Sequence, residues 1–239
     1  MPTSRRVLHP KAFTLVELLV VIGIIALLIS ILLPSLNKAR EQAKRTQCLS
    51  NLRQVHFAYT YYAMSNRDQV PLGYRAGCKQ FNSMVYSATT RRFVLFGWLY
   101  QGGFMRPPEV FFCPSEGNPQ SMFSTETNPW PPGPEFTGTT QGYCGYGCRP
   151  EVELPDDSAA VVAPMPRLNH FKHNAILADL TALPSRLDTR HRTGVNVLYG
   201  DGSAHWVPRS DFNTPLSACT AINASFNTYQ DQIWETFKQ

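Results

Sequence analysis

The chain has 239 residues, 22 Lys and Arg against 17 Asp and Glu, a net charge of +5 and a hydrophobic fraction of 43%. That length holds one globular domain plus an N-terminal segment of different character, and such a domain can bury a core without metals or staples. The positive excess flanks one apolar run, with Arg5, Arg6 and Lys11 before it and Lys38, Arg40, Lys44 and Arg45 after it. Basic flanks on an apolar helix are a membrane pattern. No motif of the known nucleic-acid readers is present, so no nucleic-acid partner is expected.

Residues 1–12 form a basic leader. The run from Phe13 to Leu33, FTLVELLVVIGIIALLISILL, follows with a single charge, Glu17. As a helix it is about 31 Å long, enough to cross a bilayer core. A secretory signal peptide has a shorter apolar stretch of ~7–15 residues and a small-residue cleavage site behind it. Here Leu33-Pro34-Ser35-Leu36 is a poor site of that kind. A plain anchor fits the length but leaves the glutamate unexplained. An intramembrane carboxylate is costly and calls for a named partner. A cut before Phe13 would create one, because the new α-amine would lie one helical turn from Glu17.

These residues carry a family resemblance. Lys11-Ala12-Phe13-Thr14-Leu15-Val16-Glu17, then an apolar run and Pro34, resembles the class III signal of type IV prepilins and type II secretion pseudopilins. The resemblance implies a prepilin peptidase that cuts between Ala12 and Phe13 and N-methylates the new terminus. It assigns Glu17 to subunit assembly with other pilins or pseudopilins. It also sets the orientation, N-terminus in the cytoplasm and the bulk exported, since the flanking charges are nearly balanced. The residue before the cut is usually glycine in that family; here it is Ala12.

Residues 13–34 are thus the expected transmembrane helix. Residues 35–64 continue it as an amphipathic spine, with Leu36, Ala39, Ala43, Cys48, Leu52, Val55, Tyr59 and Tyr62 mostly three to five apart. Residues 65–239 form the exported domain. Within it Asn66–Asn82 reads as loop and Phe93–Tyr100 as a short helix. Glu109–Cys113 reads as a strand and 117–142 as a long surface excursion rich in proline. Tyr143–Gly147 and Ala175–Ala178 read as strands. Val195–Tyr199 and Ala204–Val207 read as a hairpin around Asp201-Gly202, and a last helix covers about Phe226–Phe237. The fold class is α+β: a pilin-like long N-terminal helix packed on an antiparallel sheet with extended loops.

A second resemblance covers this region. His191, nine residues, then Asp201-Gly202 looks like the C-terminal motif of prepilin-like families found in planctomycetes and related bacteria. Cys48-Leu49-Ser50-Asn51-Leu52-Arg53-Gln54 and Phe112-Cys113-Pro114-Ser115 look like segments of the same proteins. The family's individual roles are generally uncharacterised, so the resemblance implies a pseudopilin-type subunit and no more.

Six cysteines lie beyond the apolar run. They permit fifteen full pairings, among which sequence does not choose. Cys144 with Cys148, and Cys48 with Cys113, are the candidate disulfides. No zinc-binding spacing is evident, and no nucleophile elbow, P-loop or dinucleotide fingerprint appears. Asp201 fits turn chemistry and His191 the anchoring of the hairpin by a hydrogen bond. Asp179, Asp188 and Asp201 are the oxygen donors a calcium site would use, as some pseudopilins have one; otherwise no metal and no cofactor is expected. The reading is a structural subunit, of the minor kind, in a secretion pseudopilus or pilus-like fibre, and not an enzyme. The alternative is a membrane-anchored surface-binding protein using the same export route.

Overall fold

The computed structural model describes residues 14–132, 141–154 and 164–238. The chain falls into two compact units, Met1–Gln42 and Ala43–Gln239.

Helix α1 spans Leu15–Ser65, 51 residues, and is the one described helix long and apolar enough to cross a membrane. Its N-terminal part is built from Leu, Ile, Val and Ala, and every large apolar side chain from Leu15 to Leu33 is exposed. So much contiguous apolar surface is incompatible with water and asks for lipid or a neighbouring helix. Pro34 lies inside α1, where it removes one amide donor. On either side of it the Ser30 and Ser35 hydroxyls donate to the carbonyls of Leu27 and Leu32. The helix therefore carries internal polar contacts that need no outside partner.

The second unit begins within α1, whose buried residues are Cys48, Leu52, Val55, Ala58, Tyr59 and Ala63. Their spacing of three and four is a helical stripe facing a core. The elements that follow are β1 (Gly73–Arg75), β2 (Met84–Ser87), β3 (Arg92–Phe93), α2 (Phe96–Gln101), β4 (Gly142–Tyr143), β5 (Tyr146–Cys148) and β6 (Val152–Leu154). After them come β7 (Ala175–Asp179), α3 (Pro184–Asp188), β8 (Gly194–Tyr199), β9 (Ala204–Pro208), α4 (Arg209–Ala218) and α5 (Asn227–Thr236). The main sheet has the order β5-β7-β8-β9 and is antiparallel throughout. A small sheet β3-β2-β4 and a parallel pair β1-β6 flank it.

Strand β8 is buried at every residue, because both faces of the sheet are covered. Val195, Val197 and Tyr199 pack with Phe212, Leu216, Ile233 and Trp234 of α4 and α5. Leu198 and Ile176 belong to the other core, with the α1 stripe. The period of two along the strand sorts these side chains to their faces, and it places Asn196 and Leu198 on the α1 side.

The spine, the 195–199/204–207 hairpin, strand β7 and the last helix agree with the sequence reading. Several segments differ. Tyr143–Gly147 is not one strand: Tyr143 ends β4 and Tyr146 begins β5, in different sheets. The stretch 66–82 contains β1, too short for any alternation to show and paired with residues far along the chain, Gly73 with Val152. Glu109–Cys113 is not a strand: Pro108–Phe111 is a 3-10 turn, because Pro108 sits at its first position and favours helical entry. The excursion from 117 lies largely at the surface over its described part but is anchored at a few points. Ser121 and Asn128 are buried, and Trp130 packs against Tyr100, Phe111, Phe112 and Phe123. Asn128 binds the carbonyls of Met122 and Tyr143 and the amide of Tyr143, substituting for a strand neighbour. Finally α4, with Pro215 inside it, has too little periodic signal to be read from sequence.

Candidate functional site

Two places collect chemistry. The first is the start of α1. The Thr14 hydroxyl accepts from the Glu17 amide at 3.2 Å, while a Glu17 carboxylate oxygen accepts from the Thr14 amide at 2.9 Å and the Thr14 hydroxyl at 2.7 Å. This is a reciprocal capping box, which satisfies two orphan amides at a helix start. Ala12 and Phe13 lie outside the described residues.

The second place is buried between α1 and the main sheet, within the second unit. Cys48 comes from α1, Cys113 from the segment after the 108–111 turn, Asp179 from the end of β7 and His191 from the approach to β8. All four are buried, and one ligand-type atom from each lies within 4.8 Å of the others. The Cys48 thiol is 3.6 Å from Cys113 Sγ and 3.3 Å from Asp179 Oδ1. Cys113 Sγ is 3.3 Å from His191 Nε2, which in turn lies 3.8 Å from Asp179 Oδ2.

Local structure holds each member in place. The Cys113 backbone is clamped by Gly145, where a Cβ would come within 2.6 Å of the Cys113 nitrogen; only glycine allows that approach. Asn51, one turn beyond Cys48, donates to the Phe112 carbonyl at 3.2 Å. Asp179 accepts from the Asn196 amide at 2.7 Å and its side-chain NH2 at 3.1 Å. His191 meets Trp206 edge to face, and the Arg45 guanidinium stacks 3.9 Å over that same indole. Tyr146 places its hydroxyl 3.3 Å from Cys48 Sγ. Beside the cluster the Arg190 and Glu116 side chains form a fully buried ion pair, and Arg190 also donates to the Gly145 carbonyl at 2.6 Å.

The electrostatics follow from burial and neighbours. Burial pushes the Asp179 carboxyl up to about 7, with the Cys113 charge adding to it and His191 and the Asn196 amide opposing. Burial drives the Cys48 thiol well above its ordinary range. Burial also raises Cys113, but the hydrogen bonds from Cys48 and His191 and the charge of Arg190 outweigh it and hold this thiol well below the ordinary range. The pair is thus a Cys48 thiol donating to a Cys113 that ionises first.

The remaining sequence candidates are placed elsewhere. All six cysteines are free thiols. Cys144 Sγ faces the carbonyls of Ser83 and Tyr146, whereas Cys148 Sγ faces the Gly73 carbonyl. Burial raises both, Cys148 to about 12. Cys48 and Cys113 are neighbours, but 3.6 Å is far beyond a bonded S–S distance of about 2.05 Å. The three aspartates proposed for calcium are not gathered. Asp179 is in the buried cluster, Asp188 is exposed and paired with Arg209 at 2.6 Å, and Asp201 lies in the hairpin turn at the other end of β8. There Asp201 Oδ1 accepts from the Ser203 amide at 2.8 Å, and Gly202 takes φ +87°. His191 does contact the hairpin, through Asn196 Nδ2 at 3.3 Å rather than through the turn.

Residues 9–33 match the prokaryotic N-terminal methylation motif. No curated protein and no solved structure matches the chain. The methylation motif and the long apolar helix together are those of a prepilin-like, membrane-anchored chain. The motif covers residues 9–33, Glu17 among them, and ends before Cys48, so it says nothing of the buried cluster. The sequence reading passed over the capping role of Thr14, for which the Thr-x-x-Glu spacing is the helix-start signal. The convergence of Cys48, Cys113, Asp179 and His191 left no signal in the sequence, since the four come from separate elements and the first two are 65 positions apart.

Proposed function

We propose that the chain is a non-enzymatic structural subunit, of the minor kind, in a type II secretion pseudopilus or type IV pilus-like fibre, cut before Phe13 and N-methylated by a prepilin peptidase. The observation that carries the reading is the methylation motif at residues 9–33 laid over the start of a helix whose large apolar side chains from Leu15 to Leu33 are all exposed. Such a helix has two homes: the bilayer before assembly and the bundle of neighbouring subunits after it. Further along, Phe57, Tyr61 and Met64 are 61%, 59% and 78% exposed on α1. Their i, i+4, i+7 spacing makes one stripe, opposite in character to the buried one, and suits helix-to-helix contact with a second subunit. The domain of residues 65–239 is the exported part. Within the exported domain the anchored 117–132 segment adds bulk that a compact major subunit does not need.

Sedimentation of sheared surface material tests the reading. The mature protein is expected to pellet with filaments at a substoichiometric ratio to another pilin. A chain that stays dispersed in the membrane fraction of fibre-bearing cells would instead make it a displayed binding protein.

A further inference from the structure

We infer that Cys48, Cys113, Asp179 and His191 form a closed tetrahedral site for a zinc-class divalent cation that fastens the spine helix to the main sheet. The three segments singled out in the sequence around Cys48, Cys113 and His191 each supply one ligand, and β7 supplies the fourth.

The distances carry the inference. With metal bonds of about 2.3 Å to sulfur and about 2.0–2.2 Å to nitrogen and oxygen, the edges of a tetrahedron of such ligands are about 3.3–3.8 Å. Four separations fall in this range: 3.6 Å between the sulfurs, 3.3 Å from Cys48 Sγ to Asp179 Oδ1, 3.3 Å from Cys113 Sγ to His191 Nε2, and 3.8 Å from His191 Nε2 to the other Asp179 oxygen, Oδ2, while one ligand atom from each residue lies within 4.8 Å of all the others. The donor set of two sulfurs, one imidazole and one carboxylate belongs to zinc more than to calcium or magnesium, which take oxygen alone. Burial of all four leaves no open coordination position, which is the mark of a structural site rather than a catalytic one.

An outer layer is also present. Tyr146 reaches the Cys48 sulfur, and Asn196 grips Asp179 with two donors. Groups of this kind orient ligands around metals. Binding requires both sulfurs as thiolates, the Asp179 carboxyl ionised and the imidazole neutral, and whatever protons these groups still carry are released to solvent as the dication enters. A Cys48–Cys113 disulfide is the competing state. It would remove the sulfur donor from Asp179 and leave a carboxylate and an imidazole in a dry pocket against neutral sulfur, whereas the cation uses all four groups.

The test uses full-length protein, extracted in detergent without chelator or polyhistidine tag. Elemental analysis is expected to find about one zinc per chain, as a single four-ligand site requires. After chelation, cobalt(II) titration should give the intense visible bands of a tetrahedral site, together with sulfur-to-cobalt charge transfer. Cys113→Ser and His191→Ala should lower zinc content at least tenfold, while Asp188→Ala, remote from the cluster, should keep it. The cobalt spectrum of the unaltered chain stands even if those variants fail to fold. A folded chain without zinc whose peptide map shows a Cys48–Cys113 disulfide would overturn the inference, as would two freely labelled thiols with no cobalt spectrum. The inference does not depend on assembly into a fibre.

Discussion

Glu17 closes a helix cap and is proposed to act in assembly, two roles that alanine alone does not separate. In the subunit it closes the capping box with Thr14, and in assembly it is the proposed partner of an α-amine in a low-dielectric setting. Glu17→Ala removes both; the lost cap alone costs about 1 kcal/mol of helix stability. Glu17→Gln keeps an acceptor for the Thr14 amide and removes the charge. Both variants are expected to insert into the membrane normally and to yield little fibre, with Gln matching Ala in sheared-fibre assays. Wild-type fibre from the Gln variant would reduce the residue to a cap. A second residue-scale expectation concerns Arg190 and Glu116, which are paired with no access to water. Removing one partner strands the other charge, so Glu116→Leu and Arg190→Met should each lower stability by about 3–5 kcal/mol. The double variant should recover much of that loss. Thermal melting in detergent, arranged as a double-mutant cycle, measures the coupling.

At the scale of elements the hairpin is the piece best predicted and most exacting. Its two strands were read from the runs 195–199 and 204–207, and its turn from Asp201-Gly202, where φ +87° excludes most side chains. A further constraint is visible only in three dimensions. A Cβ on Gly202 would come within 2.9 Å of the His56 ring on α1, and His56 Nε2 lies 3.0 Å from the Gly200 carbonyl. The turn is thus pressed onto the spine. Gly202→Ala combines backbone strain with this close approach and should cost more than the ~1 kcal/mol of strain alone. His56→Ala, which frees the space but loses the hydrogen bond, should blunt the penalty when combined with it. Additive melting shifts in the double variant would show that the contact is unimportant.

The whole molecule shows why some of this was legible in the chain and some was not. Features set by neighbours in sequence came through: the apolar run, the helical stripe from Cys48 to Tyr59, the two runs of the hairpin and the Asp-Gly turn between them. Features set by distant partners did not. Strand β1 exists because residue 73 meets residue 152. Proline-rich 117–132 is anchored because Asn128 supplies the hydrogen bonds of a missing strand. The buried cluster assembles only once α1 lies on the sheet. His191 and Asp179 taken singly suggest a hairpin anchor and a calcium donor; their common neighbour, Cys113, is what changes their chemistry.

Processing is where sequence and whole-molecule behaviour meet. On the proposed reading the leader of residues 1–12, which is polar and basic, stays in the cytoplasm while the apolar run inserts. Alanine at 12 is small enough to leave the following bond accessible to the peptidase. Cleavage there leaves Thr14 and Glu17 within the first turn, where unpaired amides favour a carboxylate. The mature chain is therefore expected to begin at Phe13 with a methylated amine and to retain all of α1. Three outcomes differ in mass by whole segments, so mass spectrometry of the membrane-extracted protein separates them. An N-terminus near Ser35 would mean a released, soluble protein and would end the pilin reading. An intact Met1 terminus, in cells that process other prepilins, would leave an anchor without an assembly role. Ala12→Glu, bulky and charged, should block the cut, so that the precursor accumulates in the membrane with its leader and disappears from the sheared-fibre fraction.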